Sequence, residues 1–169
     1  MKLHRTTPVR RVFAAVTLAC LIAVVGALAG ASVAFGSAAG SGSVRTIKAI
    51  AQGAGITFVD ADRNGKPSIG DYEIGATVYV DPASGKPVGR GSVICTQINA
   101  AGTQYQCQGQ SRFPGGNVIS AGPFAATSKT YLQAVVGGTG AYEGVKGTLA
   151  GIWLDAKFAR AKVVFTLYS

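Results

Sequence analysis

The chain has 169 residues, a formal net charge of +9 and one histidine, His4. A single histidine so close to the start leaves the rest of the chain without a Ser-His-Asp triad, a Cys-His pair or a histidine-ligated zinc site. The length is that of one domain. The basic residues are scattered, with no stripe interleaved with aromatics, which argues against a nucleic-acid partner.

Residues 1–39 read as an export signal peptide, a signal helix ahead of the domain at 40–169. "MKLHRTTPVRR" is basic, "VFAAVTLACLIAVVGALAGASVAFG" is almost uninterruptedly apolar, and "GSAAG" supplies small residues for cleavage near Ala39. Arg10-Arg11-Val12-Phe13 resembles a twin-arginine motif, with Val9 where Ser or Thr is usual; general secretion is the other route. From Val12 to Ala34 there are 23 uncharged residues, enough to span a bilayer. The expected location is therefore extracellular, with a membrane anchor through residues 12–34 as the alternative. Without Lys2, Arg5, Arg10 and Arg11, twelve basic residues face seven acidic ones, a net of +5.

Beyond residue 40 no helical period is sustained. Short runs rich in Val, Ile, Thr and aromatics alternate with Gly, Pro, Asn and Asp, the pattern of strands and turns. The first is "AIAQGAGITFVD". It leads into "DADRNGKPSIGD", residues 60–71, which has a calcium-loop spacing: Asp60, Asp62 and Asn64 at positions one, three and five, Gly65 at six, Asp71 at twelve. Pro67 stands where an apolar anchor is usual and no helices flank the loop, so a polar β-connection explains the same residues.

"YEIGATVYVD" then alternates, with Tyr72, Ile74, Ala76, Val78 and Val80 on one face and Glu73, Gly75, Thr77 and Tyr79 on the other. "PVGRGSVICTQI" and "TQYQCQGQSRF" flank "NAAGT", a hairpin signal that sets Cys95 and Cys107 on neighbouring antiparallel strands. With Cys20 in the leader, an even pair in an exported domain reads as a disulfide. "NVISAGPF" and "KTYLQAVV" come next, then "AVVGGTGAYEGVKGT". This glycine run begins like a dinucleotide fingerprint, but Glu143 occupies the third glycine position and the residues after it, "GVKGTLAGIWL", are poor helix material. Its glycines serve turns and close strand approach instead. "VKGTLAGIWLD" and "ARAKVVFTLYS" complete eight strand candidates. Eight short antiparallel strands make a sandwich or a closed barrel, and an eight-stranded barrel can hold one small ligand.

"LQAVVGGTGAYEGVKGT", with "GRGSVICTQI", "TQYQCQGQSRFPGGNVIS" and "ATVYVDPASGKPVGR", resembles the allene oxide cyclase barrel, shared in looser form by dirigent proteins. The resemblance covers residues 70–150 and is nearest to exported actinobacterial members. It implies an all-β, eight-stranded antiparallel β-barrel with an apolar cavity, working on a reactive hydrophobic molecule without a cofactor. It implies cavity roles for Cys95, Tyr105 and Phe124, although Phe124 lacks the hydroxyl of the plant tyrosine and the plant first-strand carboxylate has no clear match. Plant members form trimers, so a homo-oligomer is implied too; the sequence itself shows no interface signal.

Three functions fit. The first is a cofactor-free cyclase or isomerase in which orientation and water exclusion accelerate the reaction, with Asp60, Tyr79, Tyr105 and Glu143 as candidate catalytic residues. The second is a carrier or dirigent-like scaffold using the same cavity, with Trp153 in its wall. The third is a surface-interaction domain with a filled interior. The pattern leaves the directions of Tyr79 and Arg112 open.

Overall fold

A computed structural model describes residues 42–169. The leader, the apolar run 12–34, His4 and Cys20 lie outside the described residues. Eight strands succeed one another: β1 (Val44–Val59), β2 (Tyr72–Val80), β3 (Pro87–Gln97), β4 (Gln104–Phe113), β5 (Gly116–Ala125), β6 (Thr130–Gly140), β7 (Lys146–Trp153) and β8 (Arg160–Tyr168). Each pairs antiparallel with the next, and β8 returns to β1, so the sheet closes as a barrel in sequence order. Closure decides between the two architectures that the strand pattern allowed, and it leaves no sheet edge unpaired.

Because side chains alternate across a strand and directly paired residues share a face, the ladders fix which side each residue occupies. Glu73, Gly75, Thr77 and Tyr79 of β2 oppose Cys95, Val93, Gly91 and Gly89 of β3, all on the inner face. The more apolar set, Tyr72 to Val78, faces outward, and Ile74 is exposed. In β4, Tyr105, Cys107, Gly109 and Ser111 point inward while the four glutamines between and beside them face solvent. Arg112 is exposed and opposes Arg90 on the outer face.

The turns 81–86, 114–115 and 141–145 lie at one end, which is plugged. Phe113 anchors the plug, its ring 5.2 Å from those of Tyr79 and Phe165 and 6.4 Å from that of Tyr142. Val118, Leu167 and Tyr142 are each about 1% exposed. The glycine run is therefore the β6–β7 connection. Gly140, at φ 62°, makes the left-handed turn that folds Tyr142 beneath the barrel, where its hydroxyl donates to the Pro114 carbonyl. Arg45 covers the plug from outside, 4.7 Å from the centre of the Tyr142 ring.

Candidate functional site

The other end carries the loops 60–71, 98–103, 126–129 and 154–159, and there the barrel is hollow. A cavity of about 370 Å³ opens between these loops and reaches down to Tyr79. Its two walls differ. Strands β1 to β3 offer small residues, among them Ala51, Gly53, Gly75 and Thr77, together with Glu73. Strands β4 to β7 and the last loop offer Tyr105, Phe124, Tyr131, Trp153 and Phe158. These rings form one cluster: Trp153 lies 5.4 Å from Tyr131, 5.3 Å from Phe158 and 6.1 Å from Phe124, while Tyr105 lies 6.0 Å from Phe124.

Gly151 makes room for the Tyr131 ring. The two residues are directly paired across β6 and β7, and a methyl group at 151 would overlap the ring. Phe158 is held at φ 53°, a left-handed conformation unusual for a bulky side chain. The Asp155 carboxylate fixes that loop by accepting the amides of Lys157 and Ala159.

The polar groups of the cavity fall into two sets. Some are spent within the protein: the Tyr79 hydroxyl pairs with Ser111 Oγ at 2.8 Å, Ser120 Oγ donates to Gln133 Oε1, and the Tyr105 hydroxyl donates to the Gly102 carbonyl. Others are free. Among the described residues, no hydrogen bond or ion pair engages the Glu73 carboxylate or the Tyr131 hydroxyl, and Trp153 Nε1 is a buried donor without an acceptor. Strands β2 and β6 lie four places apart in a ring of eight, so Glu73 and Tyr131 stand on opposing walls. Burial, with Tyr79 nearby, pushes the Tyr131 phenol well above its ordinary range, which keeps it a proton donor. Burial also raises Tyr79, and burial together with the negative charge of Glu73 raises Tyr105.

Of the residues singled out from the sequence, Tyr79, Tyr105, Cys95, Phe124 and Trp153 all line the cavity. Cys95 and Cys107 are directly paired across β3 and β4 and joined by a disulfide within its wall. Asp60 and Glu143 are not among the lining residues; Glu143 is exposed in the turn at the plugged end. Glu73, Tyr131 and Phe158 are among the cavity residues that sequence reasoning does not select. Two signals bear on them: Glu73 shares a face with Tyr79, and Tyr131 pairs with a glycine.

The acidic loop beside the mouth does bring Asp60, Asp62 and Asp71 together, with ligand oxygens within 4.8 Å of one another. All six oxygens accept hydrogen bonds from inside the loop. Asp71, fully buried, takes the amides of Ala61 and Ser68; Asp60 takes those of Asn64 and Gly65; Asp62 takes the Asn64 amide, the Asn64 side chain and the Ser68 hydroxyl. Those bonds account for the acids as the scaffold of a polar connection.

No family model matches the sequence, and no curated protein matches it significantly. Solved structures do resemble the fold. A pyocyanin demethylase is 22% identical, with a TM-score of 0.61 over 73% of this chain and 99% of that one. A pterocarpan synthase dirigent protein is 20% identical, with a TM-score of 0.59 over 75% of this chain and 94% of that one. An exo-specific intermolecular Diels-Alderase is 12% identical, with a TM-score of 0.60 over 76% of this chain and 100% of that one. At such identities the likeness concerns architecture. The chain shares the eight-stranded antiparallel barrel of the dirigent proteins and Diels-Alderase barrels, the fold that its glycine-run signature implied.

Proposed function

We propose that the barrel binds a small, unsaturated molecule of largely apolar surface in its open half and acts on it as a cofactor-free cyclase or isomerase. The observation that carries this reading is a blind cavity lined with aromatic rings, in which Glu73 and the Tyr131 hydroxyl stand on opposing walls with no partner among the described residues. Such a site restrains a flexible molecule in one reactive shape and excludes water. Glu73 is then the base and Tyr131 the donor to an oxygen on which charge develops. The neighbours' names, a demethylase, a synthase-type dirigent protein and a Diels-Alderase, support chemistry on small molecules in this kind of barrel. The leader at 1–39 and the disulfide support action outside the cytoplasm.

Trp153 is the only tryptophan of the chain, so its emission reports the cavity directly. Neutral polycyclic aromatics and conjugated polyenes are expected to quench it saturably. Absence of saturable quenching across such a series refutes the reading. The carrier alternative uses the same cavity, and the unengaged Glu73 carboxylate argues against it, because a purely apolar cargo gives that charge nothing to do. Should a substrate be found whose conversion is unaffected by Glu73→Gln, the carrier reading takes precedence.

A further inference from the structure

We propose that the molecule taken up by this cavity is a planar, conjugated organic cation, one bearing a quaternary or protonated nitrogen. This rests on the reading of the cavity as a small-molecule site and adds the charge of what it selects.

Three observations carry the inference. First, Glu73 is the one carboxylate among the lining residues, and its negative charge is felt at Tyr105, whose phenol it helps to raise. Among the described residues no cation lies within ion-pair distance of it, so this half-buried carboxylate is left for an incoming partner. Second, the wall facing Glu73 presents ring faces and edges from Phe124, Tyr131, Trp153 and Phe158, packed at 5.3–6.4 Å from one another. Aromatic faces attract cations through their quadrupoles, Trp most strongly, and the attraction grows when water is excluded. Third, the rest of the Glu73 wall, with Ala51, Gly53, Gly75 and Thr77, is made of small residues that leave a gap rather than filling it, so a flat body can lie on the rings with its charge toward Glu73.

Lys157, the one cation along the lining, is exposed in the mouth loop and remains solvated there. A neutral ligand gains from the rings and can at most hydrogen-bond the carboxylate, and an anionic ligand meets it as a like charge. A cation gains electrostatically from both walls.

The test compares two probes of nearly equal shape, acridine and N-methylacridinium, titrated into the full-length chain at pH 7.5 and followed by Trp153 emission. The cation is expected to bind at least about tenfold more tightly, a difference of about 1.4 kcal/mol. In Glu73→Gln that ratio should fall several-fold, leaving the part the rings contribute, and Glu73→Asp should retain more of it. Circular dichroism checks that each variant keeps the barrel. Equal affinities for the two probes, or a preference undiminished in Glu73→Gln, overturn this inference while leaving the cavity reading intact. Binding of neither probe overturns the cavity reading, and the inference falls with it.

Discussion

Gly151→Ala probes how one wall of the cavity is built. A Cβ at this position would stand 2.5 Å from the Tyr131 hydroxyl oxygen and closer still to Cζ and Cε1 of the ring. Ordinary contact needs about 3.5–4.0 Å, so the ring has to retreat by more than about 1 Å. Both backbones are held in the β6–β7 ladder, where Tyr131 opposes Gly151, so the side chain swings into the lumen. Overpacking of this kind costs about 1–3 kcal/mol. Urea unfolding should show a lower midpoint at unchanged slope, and Trp153-reported affinity for acridine should fall as the ring fills the hollow. Because the clash needs both partners, Gly151→Ala with Tyr131→Leu should be more stable than the two single effects added together, by about 0.5–3 kcal/mol. Strict additivity, or a single variant that matches the parent in both assays, would refute the reasoning.

Five further outcomes are expected. Reducing Cys95–Cys107, twelve residues apart, should lower stability by about 3 kcal/mol on the chain-entropy model, read as a shift in the urea midpoint. Burial raises the Tyr131 phenol above its ordinary value of 10.0, so the unfolded chain loses this proton at a lower pH than the folded one. Stability is therefore whole below about pH 10 and declines as the pH climbs past it; melting across about pH 9–11 should show a shallower decline in Tyr131→Phe. At residue 158, Gly should give a protein more stable than Ala by about 1 kcal/mol, since both lose the ring but only Ala keeps the left-handed strain; the opposite order in thermal melts would contradict that conformation. Asp71→Ala should cost about 1–3 kcal/mol by stranding the donors of Ala61 and Ser68, and millimolar calcium should leave the parent melting temperature unchanged, a clear rise being the result that would assign a cation to Asp60, Asp62, Asn64 and Asp71.

The strands were legible because their signals are local. Alternation in "YEIGATVYVD" and the turn residues between Cys95 and Cys107 mark β2 and the β3–β4 hairpin without any tertiary information. Closure was legible only through the resemblance of the glycine run and not in the strand pattern, since pairing of β8 with β1 joins residues more than a hundred positions apart. The direction of β2 was equally hidden. Apolar Ile74 faces water while Gly75 and Thr77 line the lumen, because the open half of a barrel is kept hollow by small inner residues, which inverts the usual sign of the alternation. Glu73 is hidden for the same reason: a carboxylate on the less apolar face looks like solvent-exposed surface. Tyr142 is the one aromatic in "AVVGGTGAYEGVKGT", yet only the folded chain shows that it seals the base.

That seal has a kinetic consequence. With aromatic side chains stoppering the lower end, whatever goes in through the loops has to come back out by the same door. On the proposed reading, reactant and product therefore cannot queue in line; they contend for one berth, and turnover would slow as product accumulates, by simple competition that more reactant relieves.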